Sequence, residues 1–346
     1  MNRGLVIGKF YPFHKGHEYL IEMARTQSDQ LTVIVCDHVD QTIPGSVRAE
    51  WIRQVFPDVH VRTVPDVVAS DDSVGWARYT VQVLGFVPER VFTSEGYGEA
   101  YATAMGSTHI MVDHARVQVP ISATMIRGDV WKHATHLRPQ VRTHFLRRVA
   151  IVGAESTGTT TLAQDLAKRF TTVWVPEVGR YYSEGKMFGH AKDAWTADEL
   201  AWIGRAQADL EDALALQAHR VIFADTNPFA TELWHERLVG GTNEDARAVS
   251  DTRRYDLHIV TDVGIPFVQD GTREGGEARL LMHERFLEEL KSRNVPYLLV
   301  QGTCDERLRQ ATRAVRAIVH EPYGWSRINR CPDAWYCTSA TEHAPI

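Results

Sequence analysis

The sequence predicts an α/β protein of two domains, each a parallel sheet covered by helices, and three observations carry that prediction. A short apolar strand runs into a glycine-containing turn and then a helical stretch twice, at GLVIG–KFYPFHKGH–HEYLIEMARTQ from Gly4 and at VAIVG–AESTGTTT–LAQDLAKRF from Val149. In both halves, apolar strand-like runs alternate with longer mixed stretches, as strands joined by crossover helices do. The chain has 346 residues, more than one ordinary core organises and right for two domains of about 100–200 residues each.

The elements follow in order. After Gly4–Gly8 come strand candidates LTVIVC (31–36), VHVRTV (59–64), RVFTS (90–94) and THIMVD (108–113), with helices around RAEWIRQVF (48–56) and WARYTVQVLG (76–85). The second half repeats the scheme with TTVWVPE (171–177), RVIFADTN (220–227), DLHIVTD (256–262) and PYLLVQG (296–302). The two glycine turns differ in sequence, so the halves read as unrelated domains rather than a repeat. The join at 130–148 is basic, contains Pro139, and is expected to be helix or linker with a solvated charged face. The predicted domains are therefore 1–146 and 147–330, with 331–346 a loop-like tail.

Composition excludes several classes. Hydrophobic residues at 44% and charged residues at 24% are the mix of a soluble globular protein, not a disordered or fibrous one. No run of about 18 apolar residues occurs, so no membrane-spanning helix and no membrane partner are expected. The N-terminus has no secretory h-region. The net charge of -6 gives no support to general nucleic-acid binding. Cys36, Cys304, Cys331 and Cys337 form no CxxC pair and read as free thiols of a cytoplasmic protein.

GKFYPFHKGH places His14 and His17 three residues apart where loop becomes helix. An isolated His-x-x-His is usually a surface pair or a helix cap. Here it follows a strand, a glycine, aromatics and a proline, and opens a helix whose free N–H groups attract anions. Two imidazoles there can donate to phosphate oxygens and stabilise charge that builds during transfer. Gly8 allows close approach of a ligand, and Gly16 allows the turn into the helix. A zinc site needs about three protein ligands, and no third one stands at compatible spacing.

The second glycine turn, GAESTGTT (153–160), follows the P-loop pattern GxxxxGK[ST] with one departure. Gly153 and Gly158 stand in place, Glu155, Ser156 and Thr157 fill the loop, and Thr160 offers a hydroxyl for magnesium, with Thr161 beside it. Thr159 occupies the position of the phosphate-binding lysine. Asp225, ending an apolar strand, is placed to hold magnesium or to activate an acceptor hydroxyl. Glu177 and Arg180 follow another strand, where an acceptor could bind, and Arg273 lies in the polar loop QDGTRE.

GKFYPFHKGH, with ISATMIRG at 121–128, resembles the paired signatures of the nucleotidyltransferase superfamily. In the second signature Ser122 and Thr124 can cap a helix and donate to phosphate, while Arg127 offers planar donors. A nucleotidyltransferase Rossmann-like domain followed by a P-loop kinase domain is similar to the NadR family. The further segments TSEGYG (93–98), PEVGRYY (176–182), ADTNPFAT (224–231), YDLHIVTD (255–262), QDGTR and MHERFLEEL (282–290) extend that resemblance from Gly4 to about Arg316.

The resemblance implies an enzyme that joins ATP and nicotinamide mononucleotide into NAD and pyrophosphate. It implies a second domain that phosphorylates nicotinamide riboside with ATP and Mg2+. Lys9, Phe10, Tyr11, His14 and His17 would line the first site with Ser122, Thr124 and Arg127, and Thr93, Ser94 and Glu95 would lie near the dinucleotide. Trp76 is a candidate to stack on the nicotinamide ring or, equally, a core residue. The family carries lysine at position 159, and losing one such donor costs about 2.7–4 kcal/mol of transition-state stabilisation. Arg273, Lys186 or Lys192 would have to compensate.

Two rivals follow. One keeps the adenylyltransferase and makes the second domain a nucleotide sensor. The other is an NAD-sensing transcriptional regulator, against which the negative charge and a transferase strand starting at residue 4 both count, so no DNA partner is expected. A homo-oligomer is compatible with the sequence.

Overall fold

The structure is a computed structural model that describes residues 2–69, 71–190, 194–267 and 276–326. Arg273, with the QDGTR loop, Lys192 and the tail 331–346 lie outside the described residues. The chain forms two compact units: one runs to Phe145 and takes up again at Tyr323, the other runs from Leu146 to Pro322.

The first unit holds β1 (Arg3–Gly8), α1 (Lys15–Arg25), β2 (Gln30–Asp37), α2 (Gly45–Val55), β3 (His60–Pro65), α3 (Ser73–Leu84), β4 (Arg90–Thr93), α4 (Gly98–Met105), β5 (Thr108–Met111), α5 (Ala123–Gly128) and α6 (Pro139–Arg142). Its sheet has the order β3-β2-β1-β4-β5, and every pair is parallel. The inner strands β1, β2 and β4 are apolar on both faces because both are covered. Val6, Val33 and Phe92 pack into one core, while Leu5, Ile34 and Val91 pack into the other. α3 starts where Asp72 accepts from the Gly75 N–H (2.7 Å) and stops at Gly85, whose left-handed φ of 79° ends the helix. The basic join resolves into 3₁₀ turns at 134–136 and 143–145 around the four-residue α6, which has proline in its first turn.

The second unit holds β6 (Arg147–Val152), α7 (Thr159–Phe170), β7 (Trp174–Val175), α8 (Val178–Lys186), α9 (Ala197–Ala215), β8 (Val221–Asp225), α10 (Pro228–Leu238), α11 (Glu244–Asp251), β9 (Leu257–Thr261), α12 (Glu277–Ser292), β10 (Tyr297–Val300) and α13 (Cys304–His320). Its parallel sheet has the order β10-β9-β6-β8-β7. Alternation again splits each strand between two cores: Val149 and Ile151 face one, Ala150 and Val152 the other. The strand expected over 171–177 shrinks to Trp174–Val175, the residues that pair with β8.

The predicted class is therefore the observed one, a nucleotidyltransferase-type Rossmann-like unit followed by a P-loop-type unit. In each sheet the first strand of the unit lies centrally, the chain laying its next two strands on one side of it and the last two on the other. Ligands of open α/β sheets bind at such switch points, beyond the carboxyl ends of the strands. That end of β1 carries Gly8 and the histidine loop, and that end of β6 carries the second glycine turn. Among the described residues no helix is long and apolar enough to cross a membrane.

Candidate active sites

In the first unit, the loop between β1 and α1 is fixed by side chains from distant segments. His14 is the N-cap of α1, its Nδ1 accepting from the Gly16 N–H (3.0 Å) and more weakly from His17 N–H (3.4 Å). A Cβ on Gly16 would lie 2.9 Å from the His14 ring, so glycine is what lets the imidazole fold back over the helix end. Because Nδ1 accepts, the neutral ring carries its proton on Nε2. The His17 ring stacks on His14 with centroids 3.7 Å apart, and its Nδ1 is buried without a hydrogen bond.

Burial, with smaller contributions led by His17 and Arg116, lowers the His14 pKa well below its ordinary value. Burial and then Arg116 pull His17 down to about 3. Both rings are thus neutral near pH 7. They offer N–H donors to phosphate without bringing a cation into the core.

The second signature lies beside the first. Ser122 caps α5, its Oγ accepting from Met125 N–H (3.2 Å), and its hydroxyl proton stays available to a ligand. Arg127 donates to the Tyr11 carbonyl (2.6 Å) and to Thr124 Oγ1 (3.0 Å), so the two signatures are physically linked. Arg48, fully buried, donates to the carbonyls of Lys9, Cys36 and Ile43 and to Asp37 Oδ1. Lys9 itself points outward to Asp66 (2.9 Å).

Phe10 is buried against Phe13 and His17. Tyr11 is buried too, its hydroxyl turned toward Thr42 and Trp325 rather than outward. These two side chains hold the loop. A Cβ on Gly8 would meet the Phe10 ring at ordinary contact distance, 3.5 Å.

At the end of β4, Thr93 is buried with Oγ1 2.9 Å from His109 Nε2, and the Ser94 carbonyl meets His114 Nδ1 at 3.1 Å. Glu95 is exposed and accepts from Arg116 (2.9 Å). Arg116, which no sequence pattern signalled, bears electrostatically on both histidines. Its loop is shaped by Asp113, which accepts from the N–H groups of Val117, Gln118 and Val119. Trp76 is half-buried at the edge of the core holding Leu5 and Ile7, its ring 5.9 Å from Tyr79.

The neutral histidines carry a stability prediction. A buried histidine whose pKa falls from 6.5 to about 3 must take up a proton on unfolding at intermediate pH. Its contribution is complete above 6.5 and is lost as pH falls from there toward 3. The thermal midpoint is therefore expected to drop between pH 7 and pH 5, and to drop less in His17→Gln. Equal slopes in scans of the two proteins would contradict the assignment.

In the second unit, Gly153 leads into the turn with no room for a side chain: a Cβ would lie 2.3 Å from Thr261 Oγ1. Thr157 is buried and donates to the Ala154 carbonyl (2.6 Å), closing the turn from inside. Gly158, at φ 84°, leads into α7, which starts at Thr159. Glu155, Ser156, Thr159 and Thr160 are half-buried around this turn and Thr161 is exposed.

Thr160 Oγ1 donates to Asp225 Oδ2 (2.6 Å), and Asp225 is buried with Oδ1 lacking a hydrogen bond. Burial raises the Asp225 pKa, while the Thr160 and Thr159 hydroxyls and the charge of Arg180 oppose that rise. An orphaned carboxylate oxygen beside a hydroxyl is a hard, oxygen-only donor set. It fits Mg2+ held by few protein ligands plus substrate phosphates. Among the described residues no group of three or more His, Cys, Asp or Glu is placed to cage a metal.

Glu177 is the N-cap residue of α8, and Arg180, one turn on, pairs with Glu184 (2.9 Å). Gln207, fully buried on α9, fixes the end of this strand by accepting from Val178 N–H (2.8 Å) and donating to the Pro176 carbonyl (3.3 Å). Lys186 does not replace the missing lysine: it is bound to both oxygens of Glu199 (2.6 and 2.7 Å) and lies over the Trp195 ring. Two other cations grip the turn from behind. Arg279 donates to the carbonyls of Glu155 and Ser156 (3.0 and 3.1 Å), and buried Arg307 donates to the Thr157 carbonyl (2.9 Å). Sequence reasoning missed both, because each acts across more than a hundred residues.

Comparison with known proteins agrees with this division. The family described as AAA domain matches residues 148–307, and the family described as citrate lyase ligase C-terminal domain matches residues 4–72. The chain is 28% identical to the trifunctional NAD biosynthesis/regulator protein NadR of Salmonella typhimurium, covering 92% of this chain and 84% of that protein. The protein of the same name from Escherichia coli is also 28% identical, with 92% and 83% covered. Among solved structures, a NadR protein in complex with NAD and AMP-PNP superposes with a TM-score of 0.72 at 21% identity, covering 93% of this chain and 97% of the other. A NadR protein in complex with NR gives 0.73 at 22% identity, with 92% and 96% covered.

Proposed function

The chain belongs to the NadR family, and on that premise we propose that it is an enzyme of NAD biosynthesis with two reactions, one in each unit. The first unit transfers AMP from ATP to nicotinamide mononucleotide. The mononucleotide phosphate attacks the α-phosphorus of ATP, the α–β bridging bond breaks, and NAD and pyrophosphate leave.

The observation that carries this reading is the tautomer set at the loop. His14 Nδ1 is spent on the Gly16 N–H, so Nε2–H is the donor left for a triphosphate. His17, neutral and stacked on it, supplies a second. Such fixed donors stabilise charge that develops on the leaving pyrophosphate without reorganising. Arg127 holds the loop in place through the Tyr11 carbonyl and supports Thr124, while Ser122 offers a further hydroxyl.

The second unit transfers the γ-phosphoryl group of ATP to the 5′-hydroxyl of nicotinamide riboside. Asp225 and Thr160 would hold Mg2+, which supplies neutralising charge across the phosphates when bound. Asp225 would also accept the hydroxyl proton, and Glu177 and Arg180 would contact the riboside. With threonine at 159, positive charge reaches the turn from Arg279 and Arg307, which donate to the carbonyls of Glu155, Ser156 and Thr157. Thr159 equally supports a second reading, in which this unit binds ATP as a sensor without transferring phosphate.

Isotopic labels test the first reaction directly. With mononucleotide as acceptor, label at the α-phosphate of ATP is expected in NAD and label at the γ-phosphate in pyrophosphate. Label from the γ-position in the nicotinamide product would overturn the assignment of AMP transfer.

A further inference from the structure

Beyond the last helix of the second unit, the chain lays Tyr323–Ser326 onto the first unit, against the histidine loop. Tyr11, one residue before Pro12 in that loop, donates its hydroxyl to the Trp325 carbonyl (2.5 Å) and accepts from Thr42 N–H (3.0 Å). Thr42 Oγ1 donates in turn to the Gly324 carbonyl (2.8 Å), and Gln41 forms an antiparallel bridge with Ser326. The Trp325 ring stands edge-on to Tyr11, with centroids 5.4 Å apart, and also packs on Phe145 and Tyr323. The opposite end of Tyr11 is its carbonyl, which takes the Arg127 guanidinium (2.6 Å). One residue therefore joins the returning segment at its hydroxyl to the second phosphate-site signature at its backbone.

We propose that Tyr323–Ser326 is a strap that positions the histidine loop for adenylyl transfer, with Trp325 a positioning residue acting through Tyr11. The proposal rests on the reading of the first unit as the adenylyltransferase. The loop from Lys9 to Phe13 has no ladder of its own, so its geometry depends on what is fastened to it. Arg48 holds the Lys9 carbonyl and Arg127 the Tyr11 carbonyl, while the strap fixes the Tyr11 side chain. Small displacements of such a loop are costly, since donors must lie where charge develops.

The test uses the full chain and steady-state NAD formation from ATP and nicotinamide mononucleotide. Trp325→Ala and Tyr11→Phe are each expected to lower kcat about tenfold, with KM for the mononucleotide within about twofold. The double variant is expected to lose no more than the larger single loss, because the Tyr11 hydroxyl bond and the Trp325 ring contact fasten the same segment to the same loop. Trp325→Phe, which keeps a ring against Tyr11, is expected to recover most of the rate. Wild-type kcat in both single variants, or losses that multiply in the double variant, would overturn the strap's role. If Trp325→Ala does not fold, Tyr11→Phe and Trp325→Phe carry the same comparison. Wild-type protein that forms no NAD would instead overturn the adenylyltransferase reading beneath it.

Discussion

His17→Ala is expected to lower the rate of NAD formation by about 100–1,000-fold, the usual loss when one fixed transition-state donor is removed. The helix itself should survive, because its cap comes from His14, whose Nδ1 bonds Gly16 N–H. What disappears is a neutral ring held between Phe10 and Phe13, at 5.0 and 6.2 Å between centroids. Each aromatic contact is worth about 0.5–1.5 kcal/mol, which a folded protein can spare. Steady-state rates with the mononucleotide, beside a thermal scan of each protein, make the comparison. Near-wild-type turnover would remove His17 from the mechanism. Phosphorylation of nicotinamide riboside in the same preparation should be unchanged and serves as the internal control.

Asp225→Asn is expected to reduce riboside phosphorylation by about 100–10,000-fold, the range for losing a positioned proton acceptor. Asparagine preserves the shape and can still accept from Thr160, so geometry is nearly constant while the negative charge is removed. Folding should not suffer, because the substitution takes a poorly satisfied carboxylate out of a buried place. NAD formation supplied directly with mononucleotide should be untouched. The measurement is mononucleotide appearance by chromatography. Phosphorylation persisting at the wild-type rate would show that Asp225 is only a buried partner of Thr160.

The strands were the most legible part of the fold, since β1, β2, β4, β6, β8 and β9 are buried on both faces and read as continuous apolar runs. α4, GEAYATAM, was not anticipated, being short and bounded by a loop residue at Tyr97 without a capping side chain. The strand at 174–175 is shorter than its apolar run, because pairing with β8 rather than apolar content decides its length.

In the candidate sites, the histidine loop and the glycine turn were readable because their geometry is set within a few residues. The arginines that support them were not. Arg48 reaches the Lys9 carbonyl from α2, and Arg307 reaches the Thr157 carbonyl from α13. Nothing in a local pattern distinguishes a long cation that will fold inward from one that will stay in water. Gln207 is the same case, polar by composition yet fully buried because it serves both a backbone N–H and a carbonyl.

The most direct test of the account gives the purified protein ATP and magnesium with either nicotinamide mononucleotide or nicotinamide riboside, and follows mononucleotide and NAD by chromatography. NAD is expected from both acceptors, with mononucleotide appearing first when the riboside is supplied. Absence of NAD when mononucleotide is supplied would contradict the central claim that the histidine loop is an adenylyl-transfer site.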